Sequence, residues 1–522
     1  MERKWWTLLA VCVATFMLLI DVTIVNVALP DIQRDLHASF SSLQWVVDAY
    51  ALTLASFLLV AGSIGDRIGR RRVFTFGFVL FTVASFACGL SGDPTILNFA
   101  RGFQGAGAAA MFATALALIA QEFEGRERAN AIGLWGATVG GAVAIGPLLG
   151  GLITEGLGWQ WIFFVNVPIG IGAIVLTETK LVNVKATDPQ PIDWPGLITF
   201  SAGLFLLIFG LIRGNPEGWG SPVIVASIGG AVALLIAFVV IELRRENAML
   251  DLSLFRKPSF TGVSIVAFTL SAGMFAMFLY LTLYMQDALG YAPLAAGLRF
   301  LPLTVLSFIV APISGRLLGR LPARGIMGTG LILVGIGLLL MGGIEVDDGW
   351  TTLLAGSLIA GVGIGLTNPG IASVAIGVVD AARAGMASGI NSTFRQVGIA
   401  TGTAALGAVF QSRISSELTD LLPQVPSADL ARFSEAVSSG ATQSALASVP
   451  APFREQAASA ANQAFVSALN EILLVGALTA IAGGIAAWLL IRARDLVGYS
   501  APAAGEPSSG GAEPEAEAAP AG

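Results

Sequence analysis

Apolar and polar stretches alternate along this chain with a long period. Fourteen apolar runs recur, near 7–29, 44–65, 73–92, 95–120, 130–153, 162–179, 194–213, 221–242, 259–284, 294–317, 325–344, 351–377, 387–410 and 469–491. Each approaches or exceeds the roughly 20 apolar residues a helix needs to cross a bilayer. The pattern predicts an all-α polytopic membrane protein with 14 transmembrane helices. Two longer stretches interrupt it. Residues 411–468 are rich in Ala, Ser and Gln and are expected to form an outer loop with short amphipathic helices. From about 500 the chain is Ala, Pro, Gly, Ser and Glu, a composition that buries no core and predicts disorder.

An internal echo suggests how the runs are grouped. The second run ends in GSIGDRIGRRRV, Gly62–Val73, and the tenth in GRLLGRLPARG, Gly315–Gly325. Laid together they match at Gly315, Arg320 and Arg324, with Gly319 where the first copy has Asp66. Repeats of this kind mark secondary transporters. The expected organisation is a six-helix bundle over 1–180, two inserted helices with linkers over 181–258, a second six-helix bundle over 259–495, and a cytoplasmic tail over 496–522.

Composition agrees with a lipid-solvated chain: 55 % of residues are hydrophobic and only 12 % charged, about half the charged share of soluble domains. The 63 glycines suit membrane helices that pack closely. The basic start MERKWW leads into an apolar run too long for a signal peptide, and is read as an uncleaved first span. With that start inside, most of the 28 Lys and Arg fall on inner segments. The outer loops hold Arg34, Arg413, Arg432 and Arg454, three of them in one long loop. The bias predicts cytoplasmic N- and C-termini and an even number of spans. The net charge of −6 points to no nucleic-acid partner, since no large basic face exists. Cys12 and Cys88 fall at different depths, which argues against a disulfide.

Ionisable residues inside the apolar runs are functional candidates by default. Asp21 lies about eight residues short of the outer end of span 1; Arg101 and Asp48 lie about six and five residues into spans 4 and 2. At 1.5 Å per residue all three come within roughly 7–12 Å of the outer boundary. Arg stays charged, whereas a carboxylate responds to desolvation and to a neighbouring cation. Separating Arg101 from Asp21 would therefore capture or release a proton; the alternative is an ion pair that only fixes packing. Asp48 is a second candidate, or a residue facing an outer vestibule. Arg299 and Asp287 are a candidate outer pair, and Arg395 is a candidate for lining a substrate cavity or binding carbonyls. Span 5, GLWGATVGGAVAIGPLLGG, combines Pro147, which removes a backbone donor, with glycines that admit a neighbouring helix.

Taken together these stretches resemble the major facilitator superfamily, in particular its fourteen-span drug:proton antiporters, the QacA-like and EmrB-like branch. GSIGDRIGRRRV resembles the superfamily's loop between spans 2 and 3. LNFARGFQGAGAA (Leu97–Ala109) resembles the span 4 motif centred on Arg101, Gln104 and Gly105. GPLLGG, with Gly146, Pro147, Gly150 and Gly151, resembles the span 5 motif of antiporters. LLIDVTIVNVALP resembles the span 1 motif of drug exporters, and WQWIFFVNVPIG (Trp159–Gly170) the start of span 6 in fourteen-span members. Gln160 stands where Arg is usual and Ala142 where Gly is frequent. The resemblance implies two bundles rocking about a central cavity, proton coupling at Asp21 and Arg101, and an Asp66–Arg70 lock on the outward-open state; Asp48 is a further expected coupling residue, and Asp21, Asp48, Gln104 and Arg395 are expected to line the substrate cavity.

At the residue level, Asp66 and Arg70 are four apart and pair if the end of span 2 stays helical. The Asp66 carboxylate is also suited to cap the N-terminus of span 13, near Gly385, with Gly62 allowing the approach. The expected function is proton-coupled export of small amphipathic, often cationic drugs by a monomer in the lipid bilayer, with Asp21 and Asp48 as charge partners and aromatic rings adding cation–π contacts. An exporter of an endogenous lipid or secondary metabolite is the close alternative; a non-transporting sensor on the same fold is another. No GxxxxGK context surrounds any of the four lysines, so the chain carries no ATPase of its own. The single histidine, His37, cannot build an HExxH zinc site. No enzyme activity, cofactor or metal is expected.

Overall fold

The computed structural model describes residues 2–38, 40–183, 193–245, 250–379 and 383–496. Residues 497–522, and with them the expected tail, lie outside the described residues. Fourteen long helices follow one another: α1 (Arg3–Leu36), α2 (Phe40–Ile68), α3 (Arg70–Gly89), α4 (Pro94–Glu122), α5 (Gly125–Leu157), α6 (Trp161–Lys180), α7 (Trp194–Glu217), α8 (Pro222–Arg244), α9 (Pro258–Ala288), α10 (Leu301–Leu318), α11 (Ala323–Met341), α12 (Trp350–Gly377), α13 (Ala384–Leu421) and α14 (Ala451–Leu490). No strand occurs among the described residues.

Local sequence explains where several helices begin. Asp93 accepts hydrogen bonds from Thr95 N (2.7 Å) and Ile96 N (3.3 Å), with Pro94 opening α4. Ser221 caps Ile224 N ahead of Pro222 at the start of α8, and Asp193 caps Gly196 N at the start of α7. An oxygen-bearing cap followed by Pro at the first helical position satisfies donors that the helix itself leaves open.

Twelve of the helices are long and apolar enough to cross a membrane. The two outside that group are α5 and α13, of 33 and 38 residues. Both are rich in Gly and small polar residues, and both pack in the interior between other helices. In the first half α4 packs against α2 and α3, and α1 against α5. In the second half α12 packs against α10 and α11, the same pairing displaced by eight helices. The halves meet along two seams, α5 on α10 and α2 on α13. The hairpin α7–α8 packs on α2 and α13, so it lies along the second seam.

The stretch 411–468 is mostly helix. Helix α13 continues to Leu421 and α14 already starts at Ala451, with two short helices, Ser427–Ser438 and Thr442–Ser448, between them. Ala-rich, Gln- and Ser-dotted sequence has good helix propensity, and the buried Phe410, Ile414, Leu418 and Phe465 pack the two extensions together. Asp287 and Arg299 do not form the expected pair. Asp287 accepts from Thr442 Oγ1 (2.6 Å), while the Arg299 guanidinium stacks on Tyr291 (3.5 Å) and lies near Trp350 (5.5 Å).

Candidate functional site

The first half encloses a polar cluster in an otherwise apolar interior. Asp21 (2 % exposed) and Arg101 (1 %) face each other across α1 and α4, with Arg101 Nη1 2.5 Å from Asp21 Oδ2. Gln104, one helical turn beyond Arg101, donates to Asp21 Oδ1 (2.8 Å) and accepts from Arg101 Nη1 (2.8 Å). Asn166 of α6 donates to Asp21 Oδ1 (3.2 Å) and to Ser85 Oγ (3.1 Å). Arg101 Nε donates to the Val46 carbonyl (2.9 Å), and its guanidinium lies over the Tyr50 ring at 4.4 Å. Five helices thus contribute to one network, and the Asp21 carboxylate receives three donors from three different side chains.

This arrangement limits what the site can do. Arg101 stays cationic, so protonating Asp21 leaves a buried charge with only carbonyls, amides and a ring around it. Removing one partner of a buried pair is costly, about 3–5 kcal/mol. Any event that protonates Asp21 therefore favours rearrangement of the helices holding Arg101.

The other sequence candidates distribute differently. Gln104 is fully buried within the cluster rather than lining a cavity, because it lies on the Asp21-facing side of α4. Asp48, half-buried, takes no hydrogen bond from the described residues; the cation acting on it is Arg213 of α7, not Arg101. Arg213 itself pairs with Glu217 (2.7 Å) and lies 5.7 Å from the Trp45 ring. Arg395, also half-buried, sits 5.6 Å from the Phe275 ring, beside a π-helical turn of α9 (Ser271–Phe275), and has no ion pair among the described residues. Sequence reasoning missed Asn166, Tyr50 and Ser85. Their only signals were the NVPIG stretch containing Asn166 and the presence of polar atoms inside apolar runs.

A second constellation joins the halves. Asp66 Oδ1 accepts from Gly385 N (3.1 Å) and Oδ2 from Met386 N (2.8 Å), at the N-terminus of α13. Arg70 Nε donates to Asp66 Oδ1 (2.9 Å), and Nη1 reaches the Ala117 carbonyl of α4 (3.2 Å). Asp66 and Arg70 do not share a helix. Helix α2 stops at Ile68 and α3 starts at Arg70, with Gly69 between them at φ +110°, a conformation L side chains rarely adopt. A Cβ on Gly62 would collide with the Gly385 carbonyl oxygen, so the helices touch here backbone to backbone. Arg71 also does more than carry charge: it pairs with Glu178 and donates to the Leu181 carbonyl (3.1 Å), tying α3 to the end of α6.

On α5, a Cβ at Gly146 would meet Thr23 Oγ1, and one at Gly150 would lie 3.3 Å from Ile24 Cα, so this stretch packs directly on α1. Gly151 is buried. The Pro147 side chain lies outside the described residues. Nearer its start the same helix meets α10, where a Cβ at Gly133 would lie 3.1 Å from Pro312 Cα.

The sequence profile of the Major Facilitator Superfamily matches residues 11–403. The chain belongs to the major facilitator superfamily. Relatives within that superfamily include drug and antibiotic resistance and export proteins. One is the tetracenomycin C resistance and export protein of Streptomyces glaucescens, 33 % identical over 93 % of this chain and 91 % of that protein. The multidrug resistance protein Stp of Mycobacterium tuberculosis (strain CDC 1551 / Oshkosh) is 38 % identical over 79 % of this chain and 77 % of its own length. The puromycin resistance protein pur8 of Streptomyces alboniger is 34 % identical over 80 % and 84 %. The crystal structure of the human organic anion transporter MFSD10 (TETRAN) superposes with a TM-score of 0.60, covering 92 % of this chain and all of that one, at 12 % identity; that likeness concerns the fold alone. The chain is therefore a multi-pass membrane transporter of the drug-efflux kind and not an enzyme.

Proposed function

We propose that this major facilitator protein is a proton-coupled antiporter that exports small amphipathic drugs by alternating access. The observation that carries the reading is the buried Asp21–Arg101–Gln104–Asn166 network: an acid and an obligate cation, held by five helices, with neutral groups ready to receive the arginine when the acid is protonated. Proton uptake at Asp21 from the outer side releases Arg101 and the helices it ties together. Asp66 on the Gly385 end of α13 then acts as the latch that keeps the inner side shut while the outer side is open. In this reading all fourteen long helices span the cytoplasmic membrane of a bacterium, both termini are cytoplasmic, and a monomer works without ATP. Arg395 and Asp48 are the charged groups proposed to meet substrate. The domains are the halves 1–180 and 259–495 with the inserted pair between them.

Everted membrane vesicles holding a pH gradient test this. Adding a substrate drug is expected to collapse the gradient with the parent protein and to leave it intact with Asp21→Asn. Equal collapse in both would remove Asp21 from the coupling path. A second reading, export of one dedicated secondary metabolite, is favoured by the near full-length match to a tetracenomycin C export protein. No response of the parent protein to a broad drug panel, with a response to tetracenomycin C, would select it.

A further inference from the structure

We propose that the second half carries a binding site for the phosphate headgroup of an anionic phospholipid, in a cavity of about 520 Å³ between the start of α11 and the end of α14. Arg324, Arg492 and Arg494 line it, together with apolar and small residues, and no carboxylate among the described residues lines it. Arg324 and Arg492 have no ion pair among the described residues; Arg494 has one loose contact, 4.0 Å from Asp495. The Asp495 carboxylate is engaged elsewhere, accepting from Ser259 Oγ (2.7 Å) and Ser259 N (3.2 Å) at the start of α9. Among the described residues, Arg324 and Arg492 thus bring cationic charge to the cavity with no carboxylate paired to either.

The apolar wall points to a lipid rather than a soluble anion. Leu489 lines the cavity and is 68 % exposed. It ends a row of exposed apolar side chains on α14, Leu474, Leu478, Ile485 and Leu489, spaced by four, seven and four residues. That spacing keeps them on one helix face, facing hydrocarbon. An acyl chain lying along the row brings its headgroup to the arginines without leaving the protein surface. Basic pockets where spanning helices leave the bilayer suit anionic headgroups. The site involves neither the Asp21 cluster nor the Asp66 latch, so it stands apart from the transport reading.

Native mass spectrometry of the purified full-length protein, exchanged into detergent with phosphatidylglycerol or phosphatidylcholine, tests the proposal. The protein is expected to retain phosphatidylglycerol over phosphatidylcholine. R324Q/R492Q/R494Q is expected to lose at least about tenfold in phosphatidylglycerol binding, with phosphatidylcholine binding unchanged. R324K/R492K/R494K keeps the charge and is expected to keep most of the lipid. Should the triple glutamine variant fail to insert, R324Q and R492Q singly carry the test, each with a loss of about threefold. Unchanged phosphatidylglycerol retention in the glutamine variants overturns the proposal. Displacement of the lipid by millimolar inorganic phosphate overturns the lipid identity and leaves a soluble-anion pocket.

Discussion

Asp66 and Gly385 lie 319 residues apart and are joined by a 3.1 Å hydrogen bond from the glycine's amide to the carboxylate. The bond crosses from one half of the transporter to the other at a helix N-terminus, where backbone N–H groups point outward and the helix dipole favours an anion. Replacing Asp66 with Asn keeps the shape but loses the charge and one acceptor. Asp66→Asn is expected to insert and to purify like the parent, and to lose most of its transport. Normal drug efflux by this variant would remove the latch from the mechanism.

The approach of α2 to α13 gives a steric counterpart. A methyl group at Gly62 meets the Gly385 carbonyl, and one at Gly385 lies 2.5 Å from Asp66 Oδ1. Overpacking of this kind costs about 1–3 kcal/mol. Gly62→Ala is therefore expected to shift the protein away from the closed seam. Cysteine pairs placed across α2 and α13 near Gly62 should cross-link more slowly in it than in the parent; an unchanged rate would mean the seam absorbs the methyl.

Asp21→Asn leaves Arg101 buried without its anion, and the expected loss of stability is about 3–5 kcal/mol. Asp21→Asn with Arg101→Gln removes both charges and is expected to recover part of that loss while remaining uncoupled. Thermal denaturation in detergent reads the first effect and vesicle proton flux the second. A double variant less stable than the single one would contradict the pairing.

At the other face of α1, Gly146 and Thr23 leave no room between them. Gly146→Ala is expected to destabilise the α1–α5 packing by about 1–3 kcal/mol. Thr23→Gly, which removes both the colliding hydroxyl and the Cβ 2.6 Å away, should restore much of it in the double variant. Purely additive effects in a thermal-shift cycle would place the collision elsewhere.

Hydrogen bonds from the Thr95 backbone and side chain, and then from the Ile96 amide, hold the exposed Asp93 carboxyl below its ordinary value. A depressed carboxyl contributes its capping stability fully above the unfolded value of about 3.9, and loses it as pH falls through the lower folded value. Amide exchange at Thr95 and Ile96, corrected for intrinsic rate, should therefore stay slow down to about pH 4 and accelerate below it. Acceleration beginning at neutral pH would be inconsistent with this cap.

Depth along a helix was legible in the chain, and azimuth was not. Counting residues from the ends of the apolar runs put Asp21 and Arg101 at one level, and the two meet. The same count put Asp48 there too, yet the cation acting on it is Arg213, on an inserted helix whose position no local pattern encodes. Gln104 belongs with Arg101 for a helical reason, being three residues on. Asn166 and Tyr50 carry no net charge, so a search for costly ionisable groups passed over them. Asp66 was legible as a helix cap because a carboxylate suits a helix N-terminus and Gly62, one turn earlier, lets another helix approach. Its pairing with Arg70 depends on Gly69 folding α3 back at once, whereas four-residue spacing suggested a shared helix. Over 411–468 the expected short helices are present, Ser427–Ser438 and Thr442–Ser448; the apolar count did not show that α13 and α14 continue into the stretch, because their extensions are dotted with polar residues.

The inserted hairpin makes the molecule lopsided. Two halves related by a repeat would offer the surrounding lipid two similar clefts. Here α7 packs along the seam of α2 and α13 with α8 outside it, and among the described residues neither inserted helix packs on the seam of α5 and α10. A hydrophobic molecule dissolved in the bilayer thus meets two unlike sides of the protein, one carrying the inserted pair and one without it.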